Sequence, residues 1–172
     1  MPLFFLMAFY TLIEFTSRKV AISNSGNTLL IWPYYLAFEI FAGVVLFKTK
    51  ISDKVIPFGV VVFIVILIES IFNISNYMTI SRLLVSLFFI TSSIYWFFLT
   101  LRLKERKIEK IAFFWICSSF LAYHLPSLIY QSFEGGYLLI PTEYSLVLRE
   151  ARRSFNIVSK LLLTVGLWLQ LK

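Results

Sequence analysis

Across 172 residues there is one cysteine and one histidine. Cys117 has no partner for a disulfide within the chain, so no such staple is available and redox compartment cannot be read from it. His124 has neither a second histidine nor a suitably spaced carboxylate on its own predicted helix, which argues against a metal centre. Charge is also scarce: 15% of residues are Asp, Glu, Lys or Arg, nine acidic against sixteen basic, for a net +7. An excess of that sign suggests nucleic acid, but here the basic residues stand in short runs between apolar segments, which is where the positive-inside rule places them. No nucleic-acid partner is expected. There is no internal repeat and no low-complexity linker, so residues 1–172 read as one domain. Walker loops, H-E-x-x-H, G-x-S-x-G and paired carboxylates on one helix are all missing. The expectation leans away from an enzyme, and no cofactor is called for. The N-terminus is apolar from Pro2 without a basic n-region or small-residue cleavage site, which argues against a secretory signal peptide.

What the sequence does hold is apolar and aromatic surface. Hydrophobic residues make up 59%, with nineteen Phe, nine Tyr and four Trp, and mean hydropathy is +0.85. A soluble domain of this length needs far less. The pattern predicts an all-α, polytopic transmembrane bundle of about six spans, with helices over 2–22, 28–47, 55–72, 80–101, 111–133 and 154–171. The run 28–47 is the clearest: at ~1.5 Å per residue it crosses a hydrocarbon core of ~30 Å. The first segment is the shortest apolar run, ending at Ser17-Arg18-Lys19; it either continues past Arg18 and Lys19, which can snorkel, to about Ile22 or crosses a thinned membrane. Asp53 lies where the third helix should be capped, with Pro57 in its first turn, where proline is tolerated. Pro126 should kink the fifth helix. Residues 134–150 form the longest connection, with room for a short interfacial helix from Thr142.

Orientation follows from the basic residues. Lys48, Lys50, Lys54, Arg102, Lys104, Arg106, Lys107, Lys110 and Lys172 fall on one side of a six-span chain, nine in all. Arg18, Lys19, Arg82, Arg149, Arg152 and Arg153 fall on the other, six in all. Both termini are therefore expected in the cytoplasm of a bacterial inner membrane. The lipid bilayer is the first partner. Loops 48–54 and 102–110 are the places for another membrane or signalling protein to attach.

Each predicted helix carries one ionisable group in the central or outer membrane: Glu14, Glu39, Glu69, Arg82, His124 and Lys160. Charges at such depth are expensive, so they are expected to pair, to face water or to serve a function. Tyr35, Glu39 and Gly43 share one face by i, i+4 spacing, which should look into the bundle with Leu36, Ile40 and Phe47 nearer lipid. Asn156, Lys160 and Thr164 share a face of the last helix in the same way. Glu39, His124 and Lys160, with Tyr35, Tyr123 and Asn156, are the candidate ligand- or proton-binding groups around an outward polar cavity. Glu69 and Arg82 flank a short turn and read as a structural ion pair. Buried ion pairs are often architectural, so each acidic group has that plainer reading beside the functional one. Lys160 on the last helix raises a retinal Schiff base, which the missing seventh span and absent counter-ion pattern oppose. His124 has an equally plain reading as a neutral ring bonded to a neighbour.

Several segments together carry a resemblance. These are Trp32-Pro33-Tyr34-Tyr35 with Phe38-Glu39-Ile40, Phe114-Trp115-Ile116 with Ser118 and Tyr123, and Asn156-Ile157 with Lys160 and Gly166-Leu167-Trp168. In that order and spacing the chain resembles a functionally uncharacterised family of multi-spanning inner-membrane proteins of Bacteroidota, typically with seven helices. Two departures are visible: a helix expected ahead of Met1, and Ser119 where the family pattern has glycine. The resemblance implies an all-helical inner-membrane protein and no particular activity. Three functions follow as expectations: a sensory or ligand-binding membrane module, a small-solute or proton-coupled transporter, or a structural subunit of a membrane complex.

Overall fold

A four-residue turn after Lys50 sets the first piece of architecture. Ser52 Oγ accepts from Lys54 N–H at 3.1 Å, and Asp53 O accepts from Ile56 N–H at 3.0 Å. These bonds start a new helix where polar residues interrupt two apolar runs. A computed structural model describes residues 32–72, 79–102, 111–134 and 142–171. The regular structure among them is entirely α-helical: α1 Trp32–Lys50, α2 Val55–Phe72, α3 Thr79–Arg102, α4 Ala112–Glu134 and α5 Thr142–Leu171. The expected helix over 2–22 with Glu14, most of loop 102–110 and Lys172 lie outside the described residues.

The chain divides into two compact units, Met1–Ser81 and Arg82–Lys172. In the first, α1 and α2 pack as an antiparallel hairpin. Buried on α1 are Leu36, Glu39, Ile40, Gly43, Leu46 and Phe47, and on α2 Val55, Gly59, Val62, Ile66 and Glu69. This corrects the expected lipid-facing position of Leu36, Ile40 and Phe47. Leu36, Ile40, Gly43 and Phe47 recur at alternating four- and three-residue steps, and so do Val55, Gly59, Val62 and Ile66. Two stripes of equal spacing bury each other, the periodicity that lets two helices interlock along one seam. The polarity of Glu39 had drawn the expected inner face one step round the helix. Tyr34, Phe41 and Val45 are the exposed large apolar residues of α1.

Glu69 ends this unit in a specific role. Its carboxylate accepts from Ile80 N–H at 3.2 Å, from Ser81 N–H at 2.7 Å, and from the Ser81 hydroxyl. These amides begin α3 and have no partner within the helix. A carboxylate there satisfies the orphan donors and complements the positive end of the helix dipole.

In the second unit α3 and α4 run antiparallel and present matched stripes. On α3 these are Arg82, Ser86, Phe89, Ser93, Trp96 and Thr100, and on α4 Phe113, Cys117, Phe120, His124, Ser127 and Gln131, all buried. Trp96 meets Phe113 edge-on at 5.1 Å, and Phe89 meets Phe120 at 4.7 Å. The opposite face of α4 packs closely on α5. Ser119 Oγ lies 2.9 Å from both the carbonyl and the hydroxyl of Ser159. At Gly166 an added Cβ would come within 2.9 Å of Ile116 Cγ1 and 3.0 Å of the Ala112 carbonyl.

The last helix differs from the expected 154–171. It is one helix of 30 residues from Thr142, so the anticipated interfacial segment and the span are continuous. Pro141 precedes its start, and between Thr142 and Val165 the sequence has neither glycine nor proline to stop it. Glu150 pairs with Arg153 at 2.7 Å and reaches Arg149 at 4.0 Å, supporting the charged turns. Charge ends an apolar stretch without ending a helix.

Among the described residues three helical stretches are long and apolar enough to cross a membrane: Val55–Phe72, Thr79–Arg102 and Ala112–Phe133. The outward side of α2 is apolar along its length, with Val60, Val61, Phe63, Ile64, Leu67, Ile68, Ile71 and Phe72 all exposed.

Candidate functional site

The α3–α4 stripes change character along their length. Toward the α3 C-terminus and α4 N-terminus they are rings and a thiol: Trp96, Phe113, Phe120 and Cys117. Toward the other end they become Arg82, Ser86, His124, Ser127 and Gln131, all buried. Polar side chains collected on one buried stripe of two helices need mutual partners, because an unpaired buried group costs about 1–3 kcal/mol.

His124 stands at the boundary. Its ring lies flat on Phe89, with centroids 4.5 Å apart and planes 3° from parallel. Tyr123 meets it edge-on at 4.9 Å. On its polar side, His124 Nδ1 lies 3.4 Å from Ser86 Oγ. Ser86 Oγ in turn donates to Gln131 Oε1 at 3.5 Å. A hydroxyl has one proton to give. With that proton on the path to Gln131, the Ser86 lone pairs face His124, and Nδ1–H becomes the donor. The result is a directed chain, His124 to Ser86 to Gln131, linking α4 to α3 and back.

Both links are at the long end of hydrogen-bond distance. The geometry holds the groups near one another without closing them tightly. Pro126 lies within this stretch of α4. It removes the N–H that would bond the Ala122 carbonyl, so backbone polarity is added beside the side chains.

The expected site residues are distributed over both units. His124 and Tyr123 belong to the polar end of the α3–α4 pair. Lys160 is exposed and Asn156 half-exposed on α5, while Ser159 between them is buried. Thr164 returns its hydroxyl to the Lys160 carbonyl at 2.8 Å. Glu39 is buried and Tyr35 half-buried in the first unit, where Tyr35 meets Trp32 edge-on at 5.7 Å. Glu69 caps α3, and Arg82 is buried on the α3 stripe. Among the described residues no group of three His, Cys, Asp or Glu side chains is placed to hold a metal ion.

Sequence reasoning missed Ser86 and Gln131. The signal that finds them is the alternating four–three step from Cys117 through Phe120, His124 and Ser127 to Gln131, matched by Arg82, Ser86, Phe89 and Ser93. Searches of protein-family models, curated proteins and solved structures give no match for this chain. The functional reading therefore rests on the geometry.

Proposed function

We propose that the chain is a multi-pass integral protein of a bacterial inner membrane and acts as a sensory or ligand-binding module. In this reading it has six spans, both termini are cytoplasmic, and loops 48–54 and 102–110 carry the contact with a signalling partner. Membership of the Bacteroidota inner-membrane family belongs to the same proposal. The apolar outer side of α2 supports the membrane setting, since exposed apolar surface on that scale is unsuited to water. The ligand reading rests on one observation: the long-bonded, buried chain His124–Ser86–Gln131 between two candidate spans. A buried polar cluster of that kind suits a small polar solute arriving from the outer side, where α3 begins and α4 ends in the proposed orientation. Glu39, Tyr35, Asn156 and Lys160 stay as proposed further contributors.

The test is thermal unfolding of the detergent-purified protein against a panel of small polar metabolites, with wild type and Ser86→Ala side by side. The proposal expects a solute that stabilises wild type and loses its effect in Ser86→Ala. If no solute stabilises wild type and the variant loses only stability, the cluster is architectural and the chain is a structural subunit.

A second reading, proton-coupled transport, is favoured by the directed hydrogen-bond chain itself, which has the form of a relay. Purified protein in liposomes separates the two. A transporter moves solute or protons alone, whereas a sensor binds without flux.

A further inference from the structure

Ser127 is wholly buried, and its Oγ has no hydrogen-bond partner among the described residues. It sits between His124 and Gln131 on the same stripe of α4, three residues after one and four before the other. Ser86 bonds both of those neighbours, so Ser86 lies across from Ser127 at the same level. An orphan hydroxyl therefore lies beside two long contacts, His124 to Ser86 at 3.4 Å and Ser86 to Gln131 at 3.5 Å. Long polar contacts and an unsatisfied hydroxyl are what an ordered bridging water resolves, since it needs two to four polar partners. The other orphan hydroxyl, Ser93, lies beside the Cys117 thiol at the ring-lined end, which offers no such cluster.

We propose that Ser127, Ser86 and Gln131 hold an ordered water, and that hydration runs inward from Arg82 and Gln131 and stops at His124. Phe89 and Phe120 close the inner end, with the Phe89 ring flat against the imidazole. The inference rests on the membrane reading above and gives its polar site a depth. Water enters as far as the histidine ring and no further. A solute that binds here displaces or bonds this water, and His124 marks the floor of its site.

The composition makes the test site-specific, because the chain has one histidine and one cysteine. Full-length protein in lipid vesicles is labelled with 15N-histidine and, separately, 15N-cysteine. Water-to-protein magnetisation transfer is then measured by solid-state NMR at the His124 ring N–H and the Cys117 amide. The expected result is transfer to the ring several-fold faster than to the Cys117 amide, two turns away on the same helix. In Ser127→Ala the ring rate should fall toward the Cys117 rate, while Ser119→Ala leaves it unchanged. A dry ring in wild type overturns the water site, as does a wet ring indifferent to Ser127→Ala. If the Cys117 amide is as wet as the ring, the membrane reading itself has failed, which is a different outcome from a dry ring.

Discussion

Helix α4 has two buried faces built on opposite principles. Toward α5 it offers small groups: Ser119 bonds Ser159, and Ala112 and Ile116 receive Gly166. Toward α3 it offers rings at one end and a polar stripe at the other, where the contacts of Ser86 with His124 and Gln131 are both long. The first face gains stability from close approach, as helix pairs in lipid do when small residues line the contact. The second leaves a hydroxyl unsatisfied and holds an imidazole among hydroxyls and an amide. On the proposed reading, stability and binding lie on different sides of one helix.

That division predicts a graded set of outcomes. The largest belongs to Gly166→Leu, which forces a side chain against the Ala112 backbone carbonyl. It should cost about 3 kcal/mol of overpacking, or prevent folding, in thermal melts of the purified protein. His124→Phe comes next. It keeps a ring on Phe89 but removes the bond to Ser86, so a loss of about 1 kcal/mol is expected together with loss of solute-dependent stabilisation. Ser119→Ala removes a helix–helix hydrogen bond and should cost about 0.6 kcal/mol, the usual size in a membrane, without touching solute binding. The smallest stability effect is expected of Ser127→Ala. Its hydroxyl has no hydrogen-bond partner among the described residues, so its removal leaves none of their polar groups unsatisfied, and unfolding should stay within about 0.5 kcal/mol of wild type. A large destabilisation by Ser127→Ala would break the comparison, by making the α3 face as structural as the α5 face.

Much of the helical layout was legible in the sequence, because apolar runs of span length leave little choice. Residues 55–72 show this best: an apolar run broken only by Glu69 and Ser70 between Lys54 and Asn73 marks both ends of α2. The 142–171 helix was harder, because charge at Arg149, Glu150, Arg152 and Arg153 mimics the end of a helix when it marks only the end of an apolar stretch. Faces were less legible than spans. Glu39 drew attention to its own side of α1, yet Leu36, Ile40 and Phe47 are buried beside it. In lipid both the inside and the outside of a bundle are apolar, so hydrophobicity does not identify the inner face. Spacing matched between two helices does. The site was half visible for the same reason. His124 stood out as the lone histidine, whereas Ser86 and Gln131 are ordinary residues until two stripes are laid together.

The division of labour on α4 is tested most directly by melting Ser119→Ala and Gln131→Leu with and without a solute that stabilises the wild type. The account predicts that Ser119→Ala melts lower but keeps the full solute shift, while Gln131→Leu, which leaves the buried Ser86 hydroxyl without its acceptor, also melts lower and loses the shift. Equal solute shifts in both variants would contradict it, and the α3–α4 cluster would then be no more a binding site than the α4–α5 contact.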